Sequence, residues 1–418
     1  MGDVDNLINS GVDGVYPESF EIKRRPGNFQ PQIETRAYSP RQTAQILKSI
    51  SKEMYLFESR SGDFVMHIST HAEPSSGHYN CGGLRIVPQS MVGRDYRNEI
   101  AALRLGAEMD AKGDYARVAQ IAGPLVIKNF EKIQFGKHVA CPPIGARVGE
   151  PREMEFMEFI VASLSAFRSQ MGIDVITGQD LGHGRLASIE DTSLGYLSSR
   201  FSGCMEIDTS LPTAFGNFCV AKGLMQGLGV DLKDARVGLV GFGNIGRKLG
   251  ALFNKAGVRS LAVCEANPSQ QDLALRECDG GVWAGDEKRA FLEQPFDIVI
   301  FNSNGGSLDK QTVDVICNSK TIKAIAGCEN MIWPQGQCYE STLMNAGIIM
   351  PPTEFTGMGG WLAAAEASLA KKIGVEFELE QMFEPLKKLI KVSEDVIRES
   401  KKSGFNQSFA EVLYKLYS

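Results

Sequence analysis

The residues of this 418-residue chain with the clearest chemical potential are the glycines of Gly241-x-Gly243-x-x-Gly246, within Arg236-Val237-Gly238-Leu239-Val240-Gly241-Phe242-Gly243-Asn244-Ile245-Gly246. Three spaced glycines alone say little. Here they follow a strand-like apolar run and open the helical spacing Ile245, Leu249, Leu252, Phe253. Such a turn lets backbone approach a pyrophosphate, and the helix start supplies N–H groups and the positive end of a dipole. Glu265 stands 24 residues after Gly241, at the end of the next apolar run. A carboxylate there accepts hydrogen bonds from a ribose 2′-hydroxyl and repels a 2′-phosphate. The expected cofactor is therefore NAD, and Arg259 is the nearby group that would favour NADP. Asn244 and Ile245, inside the turn, join the expected cofactor-binding set.

Other clusters read as structural. His67, His71 and His78 precede Cys81 at spacings that match no common zinc pattern, so they are expected to be structural or loop histidines and no metal is expected. The nine cysteines form no C-x-x-C pair and leave one over from any full pairing. Free thiols in a reducing, cytoplasmic setting are expected. A net charge of -6 argues against nucleic acid or an anionic membrane as partner. No apolar run approaches the roughly 20 residues that span a bilayer. The acidic start Met1-Gly2-Asp3-Val4-Asp5 lacks the apolar core of a secretory signal.

The elements that must hold the turn follow an α/β pattern. Val237 to Val240, Leu261 to Cys264, Phe296 to Phe301 and Thr321 to Ala326 read as strands joined by helical links, which implies a parallel sheet. Asn302, directly after the third of these, is counted with the cofactor residues. Upstream, Gln42 to Lys52, Arg94 to Lys112, Glu153 to Met171 and Thr213 to Leu228 read as helices. Phe64 to Ile68, Leu84 to Val87, Ala122 to Lys128 and Ile173 to Thr177 read as strands. Residues 1 to 40 read as an irregular arm, and Gly360 to Ser418 as largely helical.

Several segments resemble the glutamate/leucine/phenylalanine/valine dehydrogenases, over about Cys81 to Gly360. Gly82-Gly83-Leu84-Arg85 is similar to a strand lining the family's substrate cleft, and Met109-Asp110-Ala111-Lys112 to the helix end whose lysine holds the substrate carboxylate. Thr177-Gly178-Gln179-Asp180 resembles the loop with the essential aspartate. Pro212-Thr213-Ala214-Phe215-Gly216 and Gly327-Cys328-Glu329-Asn330 resemble segments beside the nicotinamide, with Thr213 and Asn330 as the contacts. The resemblance implies a substrate-binding and oligomerisation domain (41-205), a Rossmann NAD-binding domain (206-358) and C-terminal helices returning to the hinge (359-418). It further implies a homo-oligomer and a small-molecule amino acid or imine substrate. Lys112, Gly83 and Arg85 would bind that substrate, and Asp180 would take or relay its amine proton.

Two positions depart from the family pattern. Counting twelve residues without a gap from Lys112, where the family has a catalytic lysine, lands on Pro124. An asparagine expected before Gly359-Gly360 is replaced by Gly357, and Trp361 follows where smaller residues are usual. The expectation is therefore a diverged NAD-dependent oxidoreductase that moves hydride to or from a CH–NH or C=N bond, without that lysine. The alternatives are a catalytically silent NAD- or amino-acid-binding protein, and ordinary oxidative deamination with Lys128 as the substitute base.

Overall fold

The computed structural model describes residues 29–47, 52–87, 98–334 and 336–418. Its first sheet contains β1 (Gln32–Tyr38), β2 (Met54–Ser61), β3 (Phe64–Thr70), β4 (Tyr79–Cys81), β5 (Leu84–Ile86), β6 (Ile133–Cys141), β7 (Asp174–Gly178) and β8 (Cys204–Met205). Their order is β1-β2-β3-β6-β4-β7-β8, with β5 also paired to β6. β1, β2, β3 and β6 are antiparallel neighbours. β4 and β5 run parallel to β6, and β7 and β8 continue in the parallel sense. β6 is thus the seam between an antiparallel meander and a parallel portion.

Helices α1 (Pro40–Leu47), α2 (Asn98–Val118), α3 (Pro124–Asn129), α4 (Glu153–Met171) and α5 (Ser193–Arg200) belong to this half. α4 buries Phe156, Phe159, Ile160, Leu164 and Phe167 in a core shared with Phe57 and Phe64 of the meander. It stops at Gly172, whose left-handed φ of 60° lets its N–H close on the Arg168 carbonyl.

α6 (Ser210–Leu228) leads to the second sheet, β9 (Arg236–Val240), β10 (Ser260–Glu265), β11 (Val282–Ala284), β12 (Ile298–Phe301) and β13 (Ala324–Gly327). Its order is β11-β10-β9-β12-β13, parallel throughout. α7 (Asn244–Ala256), α8 (Pro268–Glu277), α9 (Lys288–Leu292), α10 (Lys310–Asn318) and α11 (Glu340–Asn345) connect and flank the strands. Covering both faces buries strands such as Ile298-Val299-Ile300-Phe301 completely. The chain ends in α12 (Thr353–Thr356), α13 (Gly359–Lys372), α14 (Phe383–Lys402) and α15 (Phe409–Tyr417). One apolar cluster runs from Phe135 and Ile176, through α6 and α14, to Val237 and Leu239, so the two halves share a core.

The α/β architecture with a parallel second sheet matches the sequence pattern. The strand expected over Ala122 to Lys128 is instead helix α3. Pro124 occupies its first turn, where a missing N–H costs nothing. The next two amides, Leu125 N–H and Val126 N–H, are taken by the Glu366 carboxylate at 2.8 and 2.9 Å. The irregular arm of residues 1 to 40 falls mostly outside the described residues, and its described end forms β1 rather than irregular chain. β2 and β6 were not legible as strands, and α2 runs on to Val118, past the expected end at Lys112.

Candidate active site

The glycine turn lies between β9 and α7. Gly241 has φ +92°, and a Cβ there would stand 2.8 Å from the Asn302 carbonyl oxygen, so both conformation and packing require glycine. A Cβ on Gly246 would meet the Gly241 carbonyl oxygen at 2.2 Å, which keeps helix and turn in close contact. Gly243, the residue capping α7, has nothing within 4 Å of a would-be Cβ. That open space, in front of a helix start, is what a pyrophosphate cradle needs. Glu265 ends β10 and accepts from Phe242 N–H (2.5 Å) and Asn267 N–H (2.7 Å), placing its carboxylate against the turn.

A cavity of about 400 Å³ opens from this turn toward the first sheet. Gly83, Arg85, Lys112, Asp180, Thr213, Gly243, Asn244, Ile245, Asn302 and Asn330 all line it. Ten residues singled out from sequence, scattered from 83 to 330, therefore share one space. Gly241, Gly246 and Glu265 form the turn behind it. Thr213 is buried, its hydroxyl donating to the Thr209 carbonyl at 2.7 Å. Asn302 Oδ1 accepts from Asn217 Nδ2 (2.9 Å) and Cys328 Sγ (3.1 Å), while its buried Nδ2 has no partner among the described residues. An orphaned donor at the cavity wall fits a bound carbonyl such as a carboxamide.

The opposite wall is a charge cluster. Asp180, just beyond β7, accepts from Lys137 Nζ at 2.6 Å and Arg85 Nε at 3.0 Å. Lys137 comes from β6 and Arg85 from β5, and both are almost wholly buried. Burial alone would push the Asp180 carboxyl up, but the two cations outweigh it and hold it far below the usual carboxylate range. Burial pulls Lys137 down to about 8, against the opposing pull of Asp180. Gly83 leans on this pair: a Cβ would stand 3.2 Å from Asp180 Cβ and 3.3 Å from Lys137 Nζ. Lys112, from α2, donates to Asn330 Oδ1 at 3.0 Å. Three cations against Asp180 and Glu329 leave the cavity lining net positive, suited to an anionic ligand. Glu329 is turned away to backbone work, accepting from Ser303 N–H and Ser307 N–H. Beneath Lys112, burial and the neighbouring Glu354 push Glu108 up to about 7.

A buried lysine that the sequence reading did not single out, Lys137, lines the cavity beside Asp180. Pro124, on α3, is not at the cavity, and Lys128 is exposed on the same helix and does not line it. Gapless counting from Lys112 does not reach Lys137, because α3 and the turn after it lie between α2 and β6 and place it twenty-five residues on. The available signal was a single cation within the apolar stretch Ile133–Cys141, directly after Gly136. A Cβ on Gly136 would meet the Ser69 carbonyl oxygen at 2.0 Å.

Trp361 lines the cavity and packs edge-on against Phe135, with 5.0 Å between ring centroids. Cys81, Met109 and Ile176 extend the same apolar wall. Gly357 also borders the cavity, and a Cβ there would stand 3.0 Å from Cys328 Cβ. His183, in the Asp180 loop, is held by the Leu84 carbonyl (2.9 Å) and the Ser193 hydroxyl (3.1 Å) and is not at the cavity. His67 faces Glu58 at 3.0 Å, and His71 Nδ1 lies 2.9 Å from the Glu53 carbonyl oxygen. Among the described residues no cluster of potential metal ligands occurs.

A cleft between a mixed sheet and a parallel dinucleotide-type sheet is the two-domain arrangement of amino acid dehydrogenases, and solved structures bear out that fold. L-tryptophan dehydrogenase from Nostoc punctiforme matches with a TM-score of 0.58 and 18% identity, over 87% of this chain and 93% of that one. The hetero-hexameric glutamate dehydrogenase from Thermus thermophilus, in a leucine-bound form, matches with a TM-score of 0.61 and 15% identity, over 92% and 87%. Plasmodium falciparum glutamate dehydrogenase 2 gives 0.58 and 13%, over 93% and 83%. No model of a known protein family matches the chain, and no curated protein matches it either. Among the described residues no helix is long and apolar enough to cross a membrane.

Proposed function

We propose that the chain is an NAD-dependent amino acid dehydrogenase that catalyses ordinary oxidative deamination. The observation that carries this is the Lys137–Asp180–Arg85 cluster, facing Lys112 across a cavity that reaches the glycine turn. Lys137 at the cavity can serve as the base for the hydrolytic step, so the reading does not need an imine-only chemistry. The silent-binding alternative and the substitution of Lys128 are likewise not needed.

Each group then has a physical task. Lys112 supplies a fixed cation for the substrate α-carboxylate, with Asn330 and Thr213 setting the distance between the α-carbon and the cofactor. Gly241, Gly243, Asn244, Ile245 and Gly246 cradle the pyrophosphate, Asn302 faces the nicotinamide end, and Glu265 selects NAD. When bound, the cofactor serves as the hydride acceptor. Asp180, pinned as an anion by two cations, is a poor proton store at neutral pH. It holds Lys137 in place and favours a cationic substrate nitrogen. Neutral Lys137 takes the proton of the water whose oxygen attacks the iminium carbon, passes it to the carbinolamine nitrogen, and then takes the remaining hydroxyl proton as the C–N bond breaks, the carbonyl forms and ammonia leaves. The apolar wall of Trp361, Met109 and Ile176 favours an uncharged or flat side chain. A homo-oligomer and a cytoplasmic setting remain part of the proposal.

The test is direct: purified protein, each L-amino acid in turn, and NAD or NADP, followed by reduced-nicotinamide absorbance. Turnover with NAD is expected. Absence of turnover across the panel in both directions, with NAD binding intact, overturns the reading.

A further inference from the structure

Lys112 and Glu108 lie one helical turn apart on α2 and grip consecutive residues of the loop after β13. Lys112 Nζ donates to Asn330 Oδ1 at 3.0 Å, and Met331 N–H donates to Glu108 Oε1 at 2.9 Å. The loop belongs to the second sheet and α2 to the first, so both bonds cross the cleft. Met331 has a left-handed φ of +52°, which a residue with an unbranched apolar side chain rarely adopts. Three contacts keep it there. Besides the bond to Glu108, its carbonyl accepts from Gly306 N–H at 2.9 Å. Its side chain sits on the apolar cluster of Met54, Leu56, Leu103, Ala107 and Val139, which is core of the first half. A backbone conformation of this kind persists where surroundings over-determine it, and here part of those surroundings is the other half of the molecule.

We propose that Glu108 is a positioning residue: by clasping Met331 across the cleft it sets the neighbouring Asn330 against Lys112, and only in the closed arrangement. Opening the cleft removes the Glu108 bond and the apolar seat together. Met331 is then free to return to an ordinary φ, which swings Asn330 out of the cavity. Closure thus assembles the Lys112–Asn330 pair instead of merely covering it. The clasp itself stands independently of the dehydrogenase reading; only its effect on turnover rests on that reading.

The test is amide hydrogen exchange on the full chain, resolved at Met331, in wild type, Glu108→Ala and Glu108→Gln. Glutamine keeps an acceptor oxygen and alanine does not. Exchange at Met331 is expected to rise about tenfold or more in the alanine variant and to stay near wild type with glutamine. Unchanged exchange in a folded Glu108→Ala overturns the clasp. Should that variant fail to fold, Met331→Ala removes the seat and leaves Glu108; faster exchange at residue 331 supports the proposal and unchanged exchange overturns it. If the wild type turns over amino acids, Glu108→Ala raises KM for the amino acid more than it lowers kcat, and Glu108→Gln restores it. A clasp seen by exchange without any wild-type turnover leaves the clasp standing and removes only the dehydrogenase reading.

Discussion

The glycine turn and the Lys137 cluster lie at opposite ends of one cavity and are built in opposite ways. The turn is local: eleven consecutive residues supply strand, loop and helix start, with Gly246 packed on Gly241 inside the segment and only Gly241 answering to a distant neighbour, Asn302. The cluster is assembled from β5, β6 and the end of β7, with Lys112 added from α2. A short-range device depends on sterics and backbone N–H groups. The long-range one depends on charges that are tolerable in the interior only as a set.

Replacing Lys137 with Met tests that contrast most severely. Turnover is expected to fall about 10²–10⁴-fold with NAD affinity unchanged, whereas Lys128→Ala leaves turnover as it was. In the wild type, kcat/KM for amine oxidation should rise as pH climbs through about 8, where Lys137 loses its proton, and that inflection should vanish in the variant.

Asp180→Asn comes next, because it strips the counter-charge from Arg85 and Lys137. Denaturant unfolding should show a loss of about 3–5 kcal/mol. The sign with pH follows from a depressed carboxylate. The stabilisation is complete above the unfolded value of about 4 and drains away as pH falls below it, so the wild type should lose its margin over the Asn variant in acid.

The turn should answer more mildly and in two separable ways. Gly246→Ala forces a Cβ into the Gly241 carbonyl and should cost about 1–3 kcal/mol of stability. Gly243→Ala meets nothing in the protein, so Tm should hold while NAD affinity, read by calorimetry, drops. The smallest effect belongs to Glu265→Ser. Preference for NAD over NADP should shrink by about tenfold, as expected for one charge near the ribose. Equal use of both cofactors by the wild type would remove Glu265 from its assigned task.

The same contrast explains what was legible in the sequence. The parallel sheet announced itself because buried strands alternate with helices of clear period, and β9, β10, β12 and β13 lie within a few residues of their expected spans. Gly83, Arg85, Lys112 and Asp180, which share the cavity, stand out in short motifs that need no knowledge of neighbours. Lys137 was hidden because only its three-dimensional pairing with Asp180 marks it out, and a fixed offset from Lys112 cannot see helix α3 between them. The misreading of α3 has a local cause. Six residues with a short apolar run carry too little period to separate strand from helix, and the deciding partner, Glu366, is more than two hundred residues away.

That distant partner bears on how the protein can be cut. Glu366 reaches back from α13 to the amides of α3, Lys372 pairs with Asp174 at the start of β7, and Trp361 packs edge-on against Phe135. A fragment ending after β13 would keep its own five strands but deprive the first sheet of a wall, a helix cap and an ion pair. The last sixty or so residues should therefore be expressed with the first half, through a linker or by circular permutation, if either part is to be purified alone.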